Sequence, residues 1–420
     1  DTADGSIAVT AGEGITAGAV TANGEISLSS GDSITIQRAG APQNLGKVMV
    51  SGDVDVQLEL TALPKAEHPF TGWLGDVPPG QANSNPVLIT MDRSKVAVAT
   101  FFRTFHVAAT GGNDLNDGLS WASAKQTIQS ALDDTLAGDT VLVSNGIYGA
   151  ISVPSDVDVI GVDGAQTTII GPLPAGVRGV YLASNAALSG FTVTGAVVDV
   201  DGAGIYAESG TQIRRCIIRN NTTSQDGGGV HGGSLVNCLL VGNSAANGGG
   251  AANASLNHCT VAGNLGSVSG GGTKDCVLLN SIVQRNVPGD WIGGSATYSC
   301  ALPLPAGAGN IDGDPAFVDM PNGNFRLAYE SPCLGVASAS GVIIDLAGSP
   351  RPQPRVYGGE LAYDMGCYEY VPQARFVWTN GNAMAPYETW QNAANDIQTA
   401  LDISSGGDRI VVEAGTYAPF

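Results

Sequence analysis

Two carboxylates, Asp201 and Asp226, stand at the same place relative to successive glycine turns, and Asn247 and Ser269 continue their column. Stacked layers of β-structure lie about 4.8 Å apart. Side chains in such a column would share a proton, hold Ca2+ together with the neighbouring Asp199, or cap tight turns. A carboxylate pair is what glycoside hydrolysis requires, and a cation-binding acidic cluster with a basic proton acceptor is what polysaccharide elimination requires. On that reading Asp201, Asp226 and Arg215 are the residues nearest to a site. A second column, Arg215, Asn237, His258 and Asn280, is flanked by Arg219 and repeats planar polar side chains at one spacing. It reads either as the lining of a sugar-binding groove or as a solvated face.

Other chemistries find little support. The histidines His68, His106, His231 and His258 have no metal-ligand spacing, and no C-x-x-C is present, which argues against a zinc site. Gly227-Gly228-Gly229-Val230-His231-Gly232 matches G-x-G-x-x-G in form, but it lies in a repeated turn and leads into a strand, not a helix. There is no G-x-S-x-G nucleophile elbow. No cofactor is implied beyond the Ca2+ that Asp199, Asp201 and Asp226 would bind.

The elements that must carry these columns show in a cassette of about 22 residues. Asn221, Asn243, Asn264 and Asn286 are spaced 22, 21 and 22 apart. Triplets of glycine begin at Gly227, Gly248 and Gly270, and Cys216, Cys238 and Cys259 form a third column continued by Ser281. Units this short, rich in glycine and β-branched residues, predict coils of β-strand that bury a core only by piling up. In Cys216-Ile217-Ile218 and its counterparts the first and third residues face inward, which gives the apolar column Ile218, Leu240, Val261 and Val283. The Asn column fits turns of left-handed backbone whose side-chain amides bond from coil to coil.

Glycine accounts for 59 of 420 residues, about twice ordinary usage, without a G-X-Y period; charged residues make up only 13%. With 43% apolar residues the chain is not a disordered one. A net charge of −20 argues against nucleic acid as a partner. No apolar run reaches the length of a membrane span. A chain that opens on Asp1 reads as mature, trimmed or a fragment. The cysteines Cys216, Cys238 and Cys259 read as buried small hydrophobes. Cys333 and Cys367, each in a non-repeating segment, are the candidate disulfide pair in an oxidising compartment.

Along the chain, residues 1–46 read as short strands of a small β segment. Residues 47–103 form a second β unit with the alternating run Val54–Leu60, then Phe70-Thr71-Gly72-Trp73 and Val96–Phe102. This second unit resembles the small β-grasp-like repeats of bacterial surface proteins related to internalin B-type repeats, which implies a spacer or adhesive module. Residues 104–374 begin with an opening cap, in which Ala124, Ile128, Ala131 and Leu132 mark one face of a helix. The coils and a closing segment follow. The asparagine column resembles the ladders of pectate-lyase-like β-helices. The closing series Asn310–Asp319, Ser331-Pro332-Cys333, Asp345-Leu346-Ala347-Gly348, Arg351-Pro352 and Asp364–Glu369 resembles the end of bacterial modules called choice-of-anchor Q domains. In it, Asp345, Arg351, Asp364 and Glu369 are expected to tie the last coils together by charge-assisted bonds.

Residues 375–420 repeat the cap. Trp390 to Tyr417 aligns without gaps on Trp121 to Tyr148, 269 residues earlier, with 12 of 28 positions identical. The expected fold is all-β: a right-handed parallel β-helix with a capping α-helix, preceded by small β domains. The expected role is a non-catalytic extracellular module of a bacterial surface or matrix protein. Its partners would be adjacent modules or other copies of itself, packed head to tail, and polysaccharide. The competing expectation is a polysaccharide lyase or glycosidase acting through Asp201, Asp226 and Arg215.

Overall fold

A computed structural model describes residues 102–420 throughout; before them it describes strand segments and residues 70–91. The chain divides into two compact units, Asp1–Phe105 with Gly138–Thr140, and His106–Ala137 with Val141–Phe420.

In the first unit, one sheet orders Ile7–Ala11, Ile26–Ser30, Gly46–Gly52, Lys95–Phe101 and Phe70–Gly75. The first three strands run parallel, Ile7 opposite Ile26 and Ile26 opposite Val48, and the remaining pairings are antiparallel. The expected boundary at 46/47 therefore falls at the start of a strand that joins both segments in one sheet. Trp73, expected to mark the second unit, is buried and donates its indole N–H to the Ser84 carbonyl at 2.9 Å. The expected strand start at Val54 and His68 lie outside the described residues.

The second unit is a parallel β-helix. Its second wall stacks Gly146–Tyr148, Thr168–Ile170, Thr192–Thr194, Ile217–Arg219, Leu239–Val241, Thr260–Ala262, Ile282–Gln284 and Cys300–Ala301, all parallel, which makes about seven turns. The first wall contributes two strands per coil, such as Ile205–Ala207 and Gln212–Arg214, which fuse into Thr273–Leu279 and Trp291–Thr297 at the later coils. The third wall is short: Val197–Val198, Thr222–Thr223, Ser244–Asn247 and Leu265–Ser269. Each coil turns on a residue without room for a Cβ. A Cβ on Gly229, for example, would lie 2.4 Å from the Gly250 carbonyl oxygen of the next layer.

Ile218, Leu240, Val261 and Val283 lie in register and are fully buried, as are Ile213, Leu235 and Leu256 on the first wall. Each such side chain contributes about 1.5–3 kcal/mol by leaving water. Cys216, Cys238 and Cys259 point into the same core, and burial raises the pKa of the Cys216 and Cys238 thiols.

The asparagine column is a continuous ladder. Asn221 Nδ2 donates to Asn243 Oδ1, Asn243 Nδ2 to Asn264 Oδ1, and Asn264 Nδ2 to Asn286 Oδ1, each at 3.0 Å. Asp290 ends it by accepting the Asn286 backbone N–H at 2.8 Å. The left-handed backbone belongs to the preceding residue, not to the ladder itself: Asn220, Gly242, Gly263 and Arg285 have φ of 54°, 65°, 65° and 62°. The turn bends there, and the following Asn is left free to reach along the axis.

Helix Ile128–Leu132, capped by the Thr127 side chain, buries Ile128, Ala131 and Leu132, and Gln129 Oε1 accepts the Ser152 N–H of the first coil at 2.8 Å. The second cap repeats this plan. Ala374–Val377 pairs in parallel with Arg409–Val412, and helix Ile397–Asp402 is capped by Asp396. Its core is Val377, Tyr387, Ala394 and Ala400.

Candidate functional site

Two polar regions correspond to the two columns, and the structure separates their roles. The first lies on the outer face of the first wall. Here Tyr181, Tyr206 and His231 occupy the same register on successive coils, continued by Ala252 and Lys274. The rings stack with centroids 5.9 and 5.3 Å apart and planes within 2° and 6°. Stacking this close presents ring edges to solvent and keeps the faces covered. Arg178 lies 5.0 Å from the Tyr206 ring and donates to the carbonyls of Gly202 and Asp201, both at 3.0 Å. Tyr181 Oη donates to Glu208, whose other oxygen accepts from the Ser184 hydroxyl at 2.7 Å.

Asp201, Asp226, Asn247 and Ser269 form the adjoining column. Asp226 donates its backbone N–H to Asp201 Oδ1 at 3.0 Å, Asn247 Nδ2 donates to Asp226 Oδ1 at 2.8 Å, and the Ser269 hydroxyl to Asn247 Oδ1 at 2.7 Å. The remaining Asp226 oxygen pairs with Lys274 Nζ at 2.6 Å. Lys274 sits two coils away and reaches Asp226 past the small Ala252. Asp199 is exposed and receives the Ser224 hydroxyl at 3.4 Å.

These contacts decide what the wall can do. Burial works against the charge on Asp226, but the hydrogen bonds from Lys274 and Asn247 outweigh it and hold its pKa below the usual carboxylate range. Glu208 is likewise lowered, first by Tyr181 and then by Ser184. A general acid for glycoside cleavage needs the opposite shift. Lys274 is raised, first by its bond to Asp226, and so holds its proton, whereas an eliminating base must be free to accept one. Ca2+ does not fit the group either. It takes six to eight oxygen ligands, whereas both Asp226 oxygens are engaged, one by the Asn247 amide and one by the Lys274 ammonium. Among the described residues no three His, Cys, Asp or Glu side chains converge as a metal site. Arg215 does not join these carboxylates; it belongs to the other column, at a corner between the first and second walls.

That second column is not a groove. Arg215, Asn237, His258 and Asn280 have φ of 48°, 52°, 49° and 52°, so each makes the same sharp corner. Arg215 is half-buried, Arg219 is exposed, and the other three are 0–2% exposed beneath the closing segment. Asn237 Nδ2 donates to the Ile344 carbonyl at 2.6 Å. Asn280 Nδ2 donates to the Ser338 carbonyl at 2.9 Å, and its Oδ1 accepts the Ser338 N–H at 2.8 Å. His258 Nδ1 faces Arg351 Nη1 at 3.0 Å and Nε2 faces the Ser340 hydroxyl at 2.9 Å. Nδ1 also faces the Asp364 carbonyl at 3.2 Å, and Nε2 faces Asn280 Nδ2 at 3.1 Å.

The closing segment is locked by its own charges. Arg351 and Glu369 form a fully buried pair at 2.6 Å. Arg351 also donates to the carbonyls of Asp364 and Gly366. Asp364 accepts the backbone N–H groups of Gly335 and Tyr370, both at 2.7 Å. Asp345 accepts those of Ser349 and Glu369. The segment lies on the outer face of the second wall, where Ile217, Leu239 and Ala262 pack with Phe325 and Cys367. The sequence carried a signal for this cover: apolar Ile217, Leu239 and Ile282 at an outward-facing position. Cys367 and Cys333 lie in separate clusters as free thiols, so the expected Cys333–Cys367 pair is not formed.

His258 makes the seam sensitive to acid. Burial, then the positive charge of Arg351, lowers its pKa from 6.5 to about 3. A depressed pKa contributes stability that is complete above the unfolded value and is lost as pH falls toward the folded one. Asp364 and Glu369 are raised by burial and act with the opposite sign, so the difference between two proteins isolates the histidine. His258→Asn suits the left-handed corner, as Asn237 and Asn280 do. Between about pH 6 and 4 its unfolding free energy should fall less steeply than that of the parent, by about 1.4 kcal/mol per pH unit. Parallel pH profiles from denaturant titrations would contradict this.

No protein-family model matches the chain, and no curated protein matches it. Among solved structures it is similar to pectate lyase Pel9A, at 12% identity over 64% of this chain and 96% of that one, with a TM-score of 0.37. It is also similar to a rhamnogalacturonan lyase, at 14% identity over 49% of this chain and 65% of that one, TM-score 0.28. A pectin methylesterase mutant in complex with a hexasaccharide gives 13% identity over 50% and 66%, TM-score 0.27. The chain thus spans just under two thirds of the latter two proteins. The assignment of a parallel β-helix rests on the strand registers given above. Among the described residues no helix is long and apolar enough to cross a membrane.

Proposed function

We propose that this chain is a non-catalytic structural or adhesive module of a bacterial surface or matrix protein, working outside the cell and packing end to end with a neighbouring module or copy. The observation that carries the reading is the second cap. Leu132 and Val143 of the first cap are 1% and 0% exposed, because a coil of the β-helix lies against them. Their counterparts in the second cap, Leu401 and Val412, are 39% and 41% exposed. A cap exists to cover the end of a β-helix, and this one offers an apolar face shaped for another coil. Its docking supports the same role: Tyr357 donates its N–H to the Gly407 carbonyl at 2.9 Å, and Gln373 donates its own to Asp408 Oδ1 at 2.6 Å.

Light scattering and electron microscopy of the purified chain test self-packing. Concentration-dependent linear assembly is expected, and Leu401→Asp with Val412→Lys should abolish it without changing the melting temperature of the β-helix. A folded, strictly monomeric chain at about 100 µM would rule self-packing out.

The alternative is a polysaccharide lyase or glycoside hydrolase. The aromatic and charged stripe Tyr181, Tyr206, His231 and Lys274 is what favours it, since polar edges at coil spacing would follow a linear polymer. It requires Asp226 to act while held by Lys274, which is why it stands second.

A further inference from the structure

We propose that Cys300 and Cys333 form a disulfide when the chain meets an oxidising thiol–disulfide buffer, a staple that fastens the closing segment to the last coil. Cys300 lies in Cys300–Ala301, the final strand of the second wall, and pairs in register with Ile282. Cys333 lies in the turn that follows strand Asn324–Leu327. Both are fully buried and share one cluster with Ile282, Leu327, Leu334 and Met365. Within this cluster the two thiols act on one another: each one's acidity is set first by the other, which lowers Cys300 and raises Cys333. Cys300 Sγ also donates to the Gly313 carbonyl at 3.1 Å and accepts from Gln284 Nε2 at 3.6 Å. The Cys333 carbonyl accepts the Met365 N–H at 3.0 Å. A bond at this point therefore joins the last coil, the turn and the strand of the Arg351–Glu369 network.

The other cysteines are placed differently. Cys367 packs against Ile217 and Leu239 and donates its backbone N–H to Thr260 Oγ1 at 3.0 Å. Cys216, Cys238 and Cys259 belong to the core column, where the walls already hold the coils together.

The reaction is thiol–disulfide exchange with a small-molecule disulfide such as oxidised glutathione. The Cys300 thiolate attacks one glutathione sulfur, breaks its S–S bond and releases one glutathione thiolate. The Cys333 thiolate then attacks Cys300 Sγ and releases the second. Two protein thiols lose two protons and two electrons, and one glutathione disulfide is reduced to two thiols. Because both sulfurs are buried, the exchange occurs as the chain folds or during opening of the closing segment.

The test is intact-mass and tryptic-peptide spectrometry of protein refolded in oxidised and reduced glutathione, after alkylation under denaturing conditions. The expected result is a mass 2 Da lower before alkylation, two of the seven thiols protected, and one linked peptide pair containing Cys300 and Cys333. Cys367→Ser should keep that linkage, whereas Cys300→Ser should lose it together with a melting-temperature gain of several degrees seen on oxidation of the parent. Seven alkylated thiols in the oxidised wild-type protein, or a linked peptide joining Cys333 to Cys367, would overturn the proposal.

Discussion

Asn243→Ala should lower the unfolding free energy by about 3–6 kcal/mol, the largest effect expected from a single small side chain here. Asn243 donates Nδ2 to the Ile218 carbonyl at 2.9 Å and to Asn264 Oδ1 at 3.0 Å. Its Oδ1 accepts the Asn221 backbone N–H at 3.1 Å and Asn221 Nδ2 at 3.0 Å. All of these groups are buried, and alanine would strand several of them in a site from which the coils exclude water. A buried polar group left without a partner costs roughly 1–3 kcal/mol. Two or three such losses outweigh the small gain in helix-independent packing that alanine could bring. Asn221 begins the ladder, where its Oδ1 accepts the Ala196 N–H and no side-chain amide of a preceding rung, so Asn221→Ala should cost less than Asn243→Ala. Urea titrations of both variants check the ranking. A loss under about 1 kcal/mol for Asn243→Ala would mean that the ladder is ornamental and that apolar stacking alone sets the register.

Arg351→Ala is the second large effect. Its guanidinium is the only cation within bonding distance of Glu369 among the described residues, and it also holds the carbonyls of Asp364 and Gly366. Removing one member of a buried pair costs about 3–5 kcal/mol, because the surviving charge has nothing to offset its lost hydration. The structural consequence is local. The closing segment should loosen from the second wall and expose Ile217, Leu239 and Ala262, while the inner columns stay buried. Limited proteolysis should then cut between residues 340 and 360 long before the coils, and global unfolding should shift less than the segment does. Replacing both partners with apolar residues of similar size, Arg351→Met with Glu369→Leu, should recover part of the loss. If the double variant proved as unstable as Arg351→Ala, the pair would matter for its hydrogen bonds to the backbone and not for its charge.

Much of the β-helix was legible because its signals are periodic. Asn221, Asn243, Asn264 and Asn286 recur at coil spacing, and Ile218, Leu240, Val261 and Val283 keep one phase; both follow from the geometry of stacked strands. The candidate site was legible only as a set of columns. Arg215, Asn237, His258 and Asn280 do line up, yet the repeat cannot say which faces stay open, since a cover arrives from residues 338–369, about a hundred positions away. The outward Ile217 and Leu239 hold that information, because an apolar residue at a solvent-facing phase requires something to lie on it. The alignment of glycine turns put Asp201 and Asp226 in one column, but it gave no sign of the Lys274 ammonium beside Asp226, because Lys274 lies on a coil two layers away and reaches across an alanine. The ladder's left-handed turns were misplaced by one residue: Asn220 and Arg285, beside Gly242 and Gly263, carry the strain. Near the amino terminus, strands 19 residues apart pair in parallel, as Ile7 does with Ile26. That shorter period passed unread as a repeat because the segment lacks an asparagine column.

The claim on which the functional account stands is that the first wall is held together by its polar groups and does no chemistry with them. The direct measurement incubates the chain with uronic-acid polymers, with and without Ca2+, and follows unsaturated ends by ultraviolet absorbance and new reducing ends by colorimetry. The account predicts no product above the blank, and the same result for Asp226→Asn. Turnover by the parent that Asp226→Asn abolishes, with the melting temperature unchanged, would contradict it and make the wall an active site.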